Sequence, residues 1–350
     1  MRRGSSPRAG DGECGMIVPI SSVLCDPDWR WRLLPLGCDC PRSKLSSPNA
    51  NQESGTARQM FRFHLNPGWS SRAAPDTGID MNAPDLKAEV REFWDAASCG
   101  EVYAEGLTAE QRFRKHSEER YRLEPYIRSF ARFHEGSAQD VLEIGVGMGA
   151  DHLEWAKSGP RRLAGVDLTP RAVGWTAQRL VTYGFASELS VGDAEHLPFP
   201  DDSFDIVYSW GVLHHSPDTP QAFREAHRVL RPGATLRAMI YHRPSMVGLM
   251  LWARYGLAAG QPARSLTDVY ARYLESPGTK GYTLAEARRL VAPFGSCELR
   301  RAVSFGDLLL GEVGQQHVGR GLAIAKRLWP RPLVRRLPML GLLLLIEARK

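Results

Sequence analysis

Cysteine is scarce in this chain. Six cysteines in 350 residues, unevenly spaced, cannot make the framework of a disulfide-built domain. Cys14, Cys25, Cys38 and Cys40 fall in the first 80 residues. Cys38-Asp39-Cys40 leaves one residue between the thiols, not the two of a zinc pair, and no His-x-His partner follows, so no metal site is expected. Long apolar runs are missing as well. Leu342 to Ile346 is far shorter than the ~20 residues a membrane span needs and reads as a buried strand. Arg2, Arg3 and Arg8 precede an apolar stretch from Met16 to Cys25, but Pro19, Ser21 and Ser22 interrupt it, and Asp11 and Glu13 sit in the flank that should be basic. That is not an export signal, and the expectation is a cytoplasmic protein. No internal repeat is visible. With 43% hydrophobic and 24% charged residues, collagen-like, coiled-coil and wholly disordered chains are excluded.

The charge is present but unevenly placed. The formal total is +6. Residues 81–240 carry 18 basic and 24 acidic side chains, whereas residues 241–350 carry 17 and 7. The basic character therefore belongs to the last third. Residues 1–80 are rich in Gly, Pro and Ser and hold no sustained period. The expectation there is a disordered leader, foreign to the native protein if translation starts at Met81, where clean periodicity begins. Residues 81–134 read as an N-terminal helical cap, with Phe93 and Trp94 on the apolar side of a helix from about Asp85. Thr108-Ala109-Glu110-Gln111 is a capping box that opens a charged helix, interrupted near Pro125.

From residue 135 strands and helices alternate. Strands fit Val141–Ile144, Leu163–Val166, Phe204–Tyr208 and Thr235–Ile240, with helices at about 150–157, 170–182 and 220–230 between them. Thr283 to Glu286 is a second capping box, opening a helix to about Ala292. Strands at 297–304 and 342–348 follow. Repeated βα units predict a mostly parallel sheet with helices on both faces.

The chemistry gathers at the strand ends. Glu143-Ile144-Gly145-Val146-Gly147-Met148-Gly149 lies between the first strand and its helix, where glycines let the backbone approach a ligand and a helix N-terminus offers free N–H donors. By itself the run is ambiguous. Gly145-x-Gly147-x-x-Ala150 with Asp167 at the end of the second strand also satisfies the looser dinucleotide fingerprint. The segments that follow are more specific: Gly192-Asp193-Ala194-Glu195 after a third strand; Leu197 to Asp205 leading into the fourth; Ser209-Trp210-Gly211-Val212-Leu213-His214-His215; and Arg228 to Gly233 before the fifth.

This ordered series resembles the class I S-adenosylmethionine-dependent methyltransferases over about residues 135–240. Leu213-His214-His215-x-Pro217-Asp218 is similar to the small-molecule enzymes that modify quinone precursors. The resemblance implies an α/β Rossmann-like fold: a mostly parallel seven-stranded sheet, helices on both faces, the last strand antiparallel. It implies S-adenosyl-L-methionine as cofactor, with Glu143, Gly145 and Gly147 at its methionine end, Asp167 on the ribose, Leu168 against the adenine, and Asp193 and Ala194 at the adenine edge. Trp210 and Gly211 would lie beside the methyl donor. His214 and His215 are the candidate catalytic residues, since an imidazole there takes a proton from a hydroxyl near neutral pH. Tyr241 and His242 are weaker candidates.

Absences narrow the acceptor. No Asn/Asp-Pro-Pro-Tyr follows the fourth strand, against methylation of exocyclic base nitrogens, and no Pro-Cys stands there. The paired glutamates of protein arginine methyltransferases and a cluster of Asp/Asn metal ligands are missing too. The expectation is a small, apolar or lipid-like acceptor methylated at oxygen or carbon, with no nucleic acid involved, because the basic residues lack a reading module. Two inserts, 241–282 and 306–340, would carry the substrate side. Met246 to Gly260 holds one charge, Arg254, and would be buried or cover an apolar ligand. The second insert holds Lys326, Arg327, Arg335 and Arg336 among apolar residues, a pattern suited to peripheral contact with an anionic membrane, although a solvated helix face fits too. The competing readings are a nicotinamide oxidoreductase, a non-catalytic cofactor-binding protein and a methyltransferase acting on macromolecules.

Overall fold

The structure, a computed structural model, describes residues 83–104, 108–310 and 326–350. The leader and the start at Met81 lie outside the described residues, as does 311–325 of the second insert.

Among the described residues seven strands form one sheet: β1 Asp140–Ile144, β2 Arg162–Asp167, β3 Glu188–Val191, β4 Phe204–Trp210, β5 Leu230–Tyr241, β6 Ser296–Ala302 and β7 Leu343–Arg349. Their spatial order is β3-β2-β1-β4-β5-β7-β6. The first five pair in parallel, and β7 runs antiparallel to both β5 and β6. This is the expected Rossmann-like sheet. Its order reverses direction beside β1, which opens the crevice at the carboxyl ends of β1 and β4.

Strand alternation sorts side chains onto two cores. Val141, Leu163, Ile206 and Tyr208 face one side, where Trp155 is fully buried. Leu142, Ile144, Ala164 and Val207 face the other, against Phe223 and Leu290. The first layer includes α4 Ala150–Lys157 and α5 Pro170–Thr182; the second includes α6 Thr219–Val229 and α9 Leu284–Leu290. Caps set the helix starts. Thr169 accepts from Ala172 N–H ahead of Pro170, and Thr283 and Glu286 complete the second capping box. Thr108 and Gln111 form the first, opening α2 Ala109–Leu123, which ends before Pro125.

Helix α1 (Ala83–Ala96) and α2, with the short α3 Ile127–Ala131, lie ahead of the sheet in sequence. The buried stripe of α1 is Leu86 and Val90, one helical turn apart, while Phe93 is exposed. The apolar side was expected at Phe93 and Trp94; half-buried Trp94 does continue the Leu86, Val90 stripe, whereas Phe93 falls off it, and the stripe packs toward residue 278, where a Cβ on Gly278 would meet Leu86 at 2.7 Å. The first insert folds as α7 Met246–Trp252, a widened turn Ala253–Leu257 and α8 Leu266–Tyr273. Its apolar helix is only half buried: Val247 and Leu251 are inside, Leu249 and Leu257 outside. Within the second insert, the described part contains α10 Arg331–Arg335, where Val334 is buried. No helix of the described residues is long and apolar enough to cross a membrane.

Candidate active site

The chain leaves β1 through a glycine turn into α4. Gly145, Gly147 and Gly149 all have positive φ (84°, 52° and 72°), a conformation that costs residues bearing a Cβ about 1–2 kcal/mol. A Cβ on Gly145 would lie 2.1 Å from Val212 Cγ2, so the turn packs directly on the loop after β4. A Cβ on Gly147 would meet nothing within 4 Å. The first glycine is needed for packing, and the second leaves a bare backbone cradle.

Asp167, at the end of β2, ties into that turn. Its carboxylate accepts from Gly147 N–H at 3.1 Å and from Thr169 N–H and Oγ1 at 3.0 Å. Burial raises its pKa even so, with those donors working in the opposite direction. Leu168 and Ala194 are partly exposed beside it. Asp193 accepts from Glu195 N–H at 2.9 Å, and its other oxygen receives Lys87 Nζ of α1 at 2.6 Å. Lys87 also reaches Glu195 at 2.5 Å. Burial opposes ionisation of Asp193 and Glu195, but the bond to Lys87 prevails and holds both pKa values low. Glu195 in turn accepts from Ser216 Oγ and Asp218 N–H, linking the β3 and β4 loops.

Glu143 is buried on β1, where its carboxylate meets His152 Nδ1 at 2.9 Å. His152 Nε2 meets Ser187 Oγ at 2.8 Å, and that hydroxyl donates to Leu163 O. The hydroxyl's one proton is thereby used, so Nε2–H is the donor and Nδ1 is left to accept. Glu143 must then carry the proton between them. Burial, reinforced by Asp151, raises its pKa well above the ordinary value, and burial pulls His152 down to about 3. The pair is therefore neutral. Asp151 stays ionised although burial opposes it, through bonds from Arg120, Tyr121 and Tyr208.

The far end of the cleft is aromatic and acidic. Trp210 stacks on Tyr126 with centroids 6.0 Å apart, and its Nε1 donates to Glu124 at 3.4 Å. Burial pushes the Glu124 carboxyl up to about 7, against the pull of Arg120. After Trp210 the chain turns at Gly211 into a single turn of 3₁₀ helix, Leu213–His215. His214 is fully buried, its ring 4.0 Å from Tyr241 and 4.2 Å from His215 between centroids. Neither of its ring nitrogens has a hydrogen-bond partner among the described residues. Burial, then the neighbouring His215, drives its pKa well below the ordinary value. His215 Nδ1 meets Ser276 Oγ at 2.8 Å and Thr279 Oγ1 at 3.2 Å, and its Nε2 lies 3.3 Å from Glu275 Oε2. Tyr241 OH donates to the same Glu275 oxygen at 2.8 Å. Trp94 of α1 sets its edge against His215, 5.3 Å between centroids. Cys99, in the loop after α1, is exposed, and its carbonyl oxygen faces His116 Nε2 at 3.2 Å.

The structure thus gathers two groups along one sheet edge: Glu143, Gly145, Gly147, Asp167, Leu168, Asp193 and Ala194 at one end, Trp210, His214 and His215 at the other. Tyr241 joins the second group. His242 does not. It is buried with Nδ1 facing Gly341 O at 3.1 Å, a contact that secures the approach to β7. Lys87, Glu124 and Glu275 were not read from the sequence. Glu275 carries a faint signal, standing at a helix end before the turn-forming Ser276-Pro277-Gly278. Lys87 and Glu124 carry none.

A sheet of this order, with a glycine turn after β1 and a carboxylate at the end of β2, is the architecture of the class I S-adenosylmethionine-dependent methyltransferases. The comparisons agree. Residues 142–238 match the family model of a methyltransferase domain. The chain is 28% identical over 205 residues to Methyltransferase GfsG of Streptomyces halstedii, spanning 57% of this chain and 71% of that protein. It is 34% identical over 98 residues to 27-O-demethylrifamycin SV methyltransferase of Amycolatopsis mediterranei (strain S699), spanning 27% and 36%. With ajmaline N-methyltransferase of Rauvolfia serpentina it shares 33% over 104 residues, 29% and 36% of the two chains. The last two matches span about a third of those relatives' lengths. One relative is named for oxygen and one for nitrogen as acceptor atom.

Proposed function

We propose that this methyltransferase acts on a hydroxyl or a carbon of a small, apolar or lipid-like molecule, in the cytoplasm. The observation that carries this reading is the acceptor end itself. Trp210, Tyr126 and Trp94 supply aromatic walls, beside the polar groups of His215, Tyr241, Glu275 and Glu124. S-adenosylmethionine supplies a methyl group already activated by its sulfonium charge, so the protein's task is alignment and exclusion of water. Asp167 and the Gly147 cradle hold the ribose and methionine parts, with Glu143 facing the ammonium. Leu168, Ala194 and Asp193 border the adenine, and Trp210 guards the methyl end. His215, oriented through Nδ1 by Ser276 and Thr279, takes the proton of an acceptor hydroxyl at Nε2. His214 packs behind it.

The test is a tritiated methyl-transfer assay on cell-extract fractions sorted by polarity. Label should enter small apolar products. Label confined to proteins or nucleic acids would overturn the reading. Tight binding of NAD without S-adenosylhomocysteine would favour an oxidoreductase, and cofactor binding without turnover on any fraction a binding protein.

A second part of the proposal concerns the C-terminal insert. Arg327, Arg335 and Arg336 stand beside exposed Leu328, Leu333 and Met339, a combination that suits the surface of an anionic bilayer from which a lipid-like acceptor is drawn. Sedimentation with phosphatidylglycerol vesicles, and its loss at high salt, checks this.

A further inference from the structure

We infer that His214, His215 and Glu275 form a binding site for a divalent transition-metal ion, with zinc as the reference ion. Each offers one ligand atom, and the three atoms lie within 4.8 Å of one another. Three independent features favour an ion over a chance cluster.

The first is spacing. Two ligands ~2.1 Å from an ion at the tetrahedral angle stand ~3.4 Å apart. His215 Nε2 and Glu275 Oε2 are 3.3 Å apart, yet Nε2 makes no hydrogen bond among the described residues. The second is His214, fully buried with both ring nitrogens lacking a partner, where buried polar groups are nearly always paired. The third is the outer layer. His215 Nδ1 is held by Ser276 and Thr279, and the Glu275 carboxylate by Tyr241 OH, which is how ligands of metal sites are oriented.

Asp193, Glu195 and His196 also satisfy the distance criterion. There, however, the Lys87 ammonium already serves both carboxylates, so that cluster has its cation.

Three protein ligands leave a fourth position open, as in catalytic rather than structural zinc sites. The inference rests on the reading above in placing that position at the acceptor end. In the loaded protein His215 Nε2 is a ligand, and its role as proton acceptor belongs to the metal-free form.

The experiment titrates the chelator-treated full chain with Co²⁺, followed by the visible absorption of tetrahedral cobalt, and then displaces the cobalt with Zn²⁺. Binding of S-adenosylhomocysteine is measured in parallel by calorimetry. One equivalent of cobalt should bind. Glu275→Gln and His215→Asn should each weaken it by roughly 100-fold or more, and Ser276→Ala by about tenfold. His196→Ala should leave it unchanged. Intact S-adenosylhomocysteine binding without a tetrahedral cobalt spectrum overturns the metal site and leaves the methyltransferase reading standing. Cobalt binding lost in His196→Ala but kept in Glu275→Gln overturns it equally. Failure of cofactor binding alone counts against the methyltransferase site and not against the metal.

Discussion

The packing of Gly145 on Val212 gives the sharpest test of the cofactor turn. Gly145→Ala places a Cβ 2.1 Å, 2.8 Å and 2.9 Å from Val212 Cγ2, Cγ1 and Cβ, at a φ of +84°. The left-handed conformation costs about 1–2 kcal/mol and the forced overlap about 1–3 kcal/mol. The single variant should therefore lose ~2–5 kcal/mol. Val212→Ala removes the γ-methyls that would collide and by itself costs about 1 kcal/mol of burial, since Val212 is only half buried. In the double variant the overlap is largely gone and the backbone penalty stays. The coupling should thus favour the pair by ~1–3 kcal/mol. Urea unfolding of the four proteins, with m-values compared, measures it. Gly147→Ala is the built-in contrast. Its Cβ meets nothing, so stability should fall only by the ~1–2 kcal/mol of backbone strain, while S-adenosylhomocysteine binding is lost because the methyl fills the cradle. Strict additivity of Gly145→Ala and Val212→Ala would refute the packing argument, and undiminished cofactor binding by Gly147→Ala would refute the cradle.

Further expectations concern single carboxylates and a lysine. Asp167→Asn should weaken S-adenosylhomocysteine binding by about 10–100-fold, from the ~1.5–3 kcal/mol of a charge-assisted hydrogen bond; unchanged affinity by calorimetry would remove Asp167 from the cofactor site. Glu124, with its carboxyl raised from 4.5 to about 7, contributes fully to stability below pH 4.5, and that contribution fades as pH rises through about 7. Glu124→Gln should flatten this decline, worth up to ~3 kcal/mol, in urea unfolding at pH 5 and pH 8. A steeper decline in the variant would mean that Arg120 stabilises the ionised carboxylate instead. Lys87→Met should lower hydrogen-exchange protection across α1 by roughly tenfold, and equal protection would show that Leu86 and Val90 hold the helix unaided.

Local signals made most of the scaffold readable. Thr108 and Thr283 cap where the sequence places them, and α4 and α5 keep their predicted bounds, because a Gly or Thr-Pro start is written in adjacent residues. The glycine turn, Asp167 and the paired histidines were legible for the same reason: strand ends and turns punctuate them. What escaped was long-range. Lys87 meets Asp193 across 106 positions, and no periodicity encodes such a pair. Glu124 stands just past the end of a charged helix, and only the fold brings Trp210 over it. His242 was read as a site residue because it follows β5, but at that point the chain turns toward Gly341. Phe93 illustrates a third failure: large aromatic residues suggest a buried face, whereas the spacing of Leu86 and Val90 sets it.

The place of β7 has a consequence for how the chain is made. Among the described residues, β6 touches the sheet only through β7, which lies between it and β5. During synthesis β6 emerges first, with its eventual neighbour still some 40 residues away in sequence. Until β7 arrives, β5 and β6 each present an unpaired edge. The parallel half of the sheet, with the glycine turn and Asp167, has all its strands beforehand. The cofactor end is thus complete in sequence before the sheet can close. A ribosome-bound chain arrested before Leu343 should then expose a β5 edge that a free peptide of residues 343–349 could occupy.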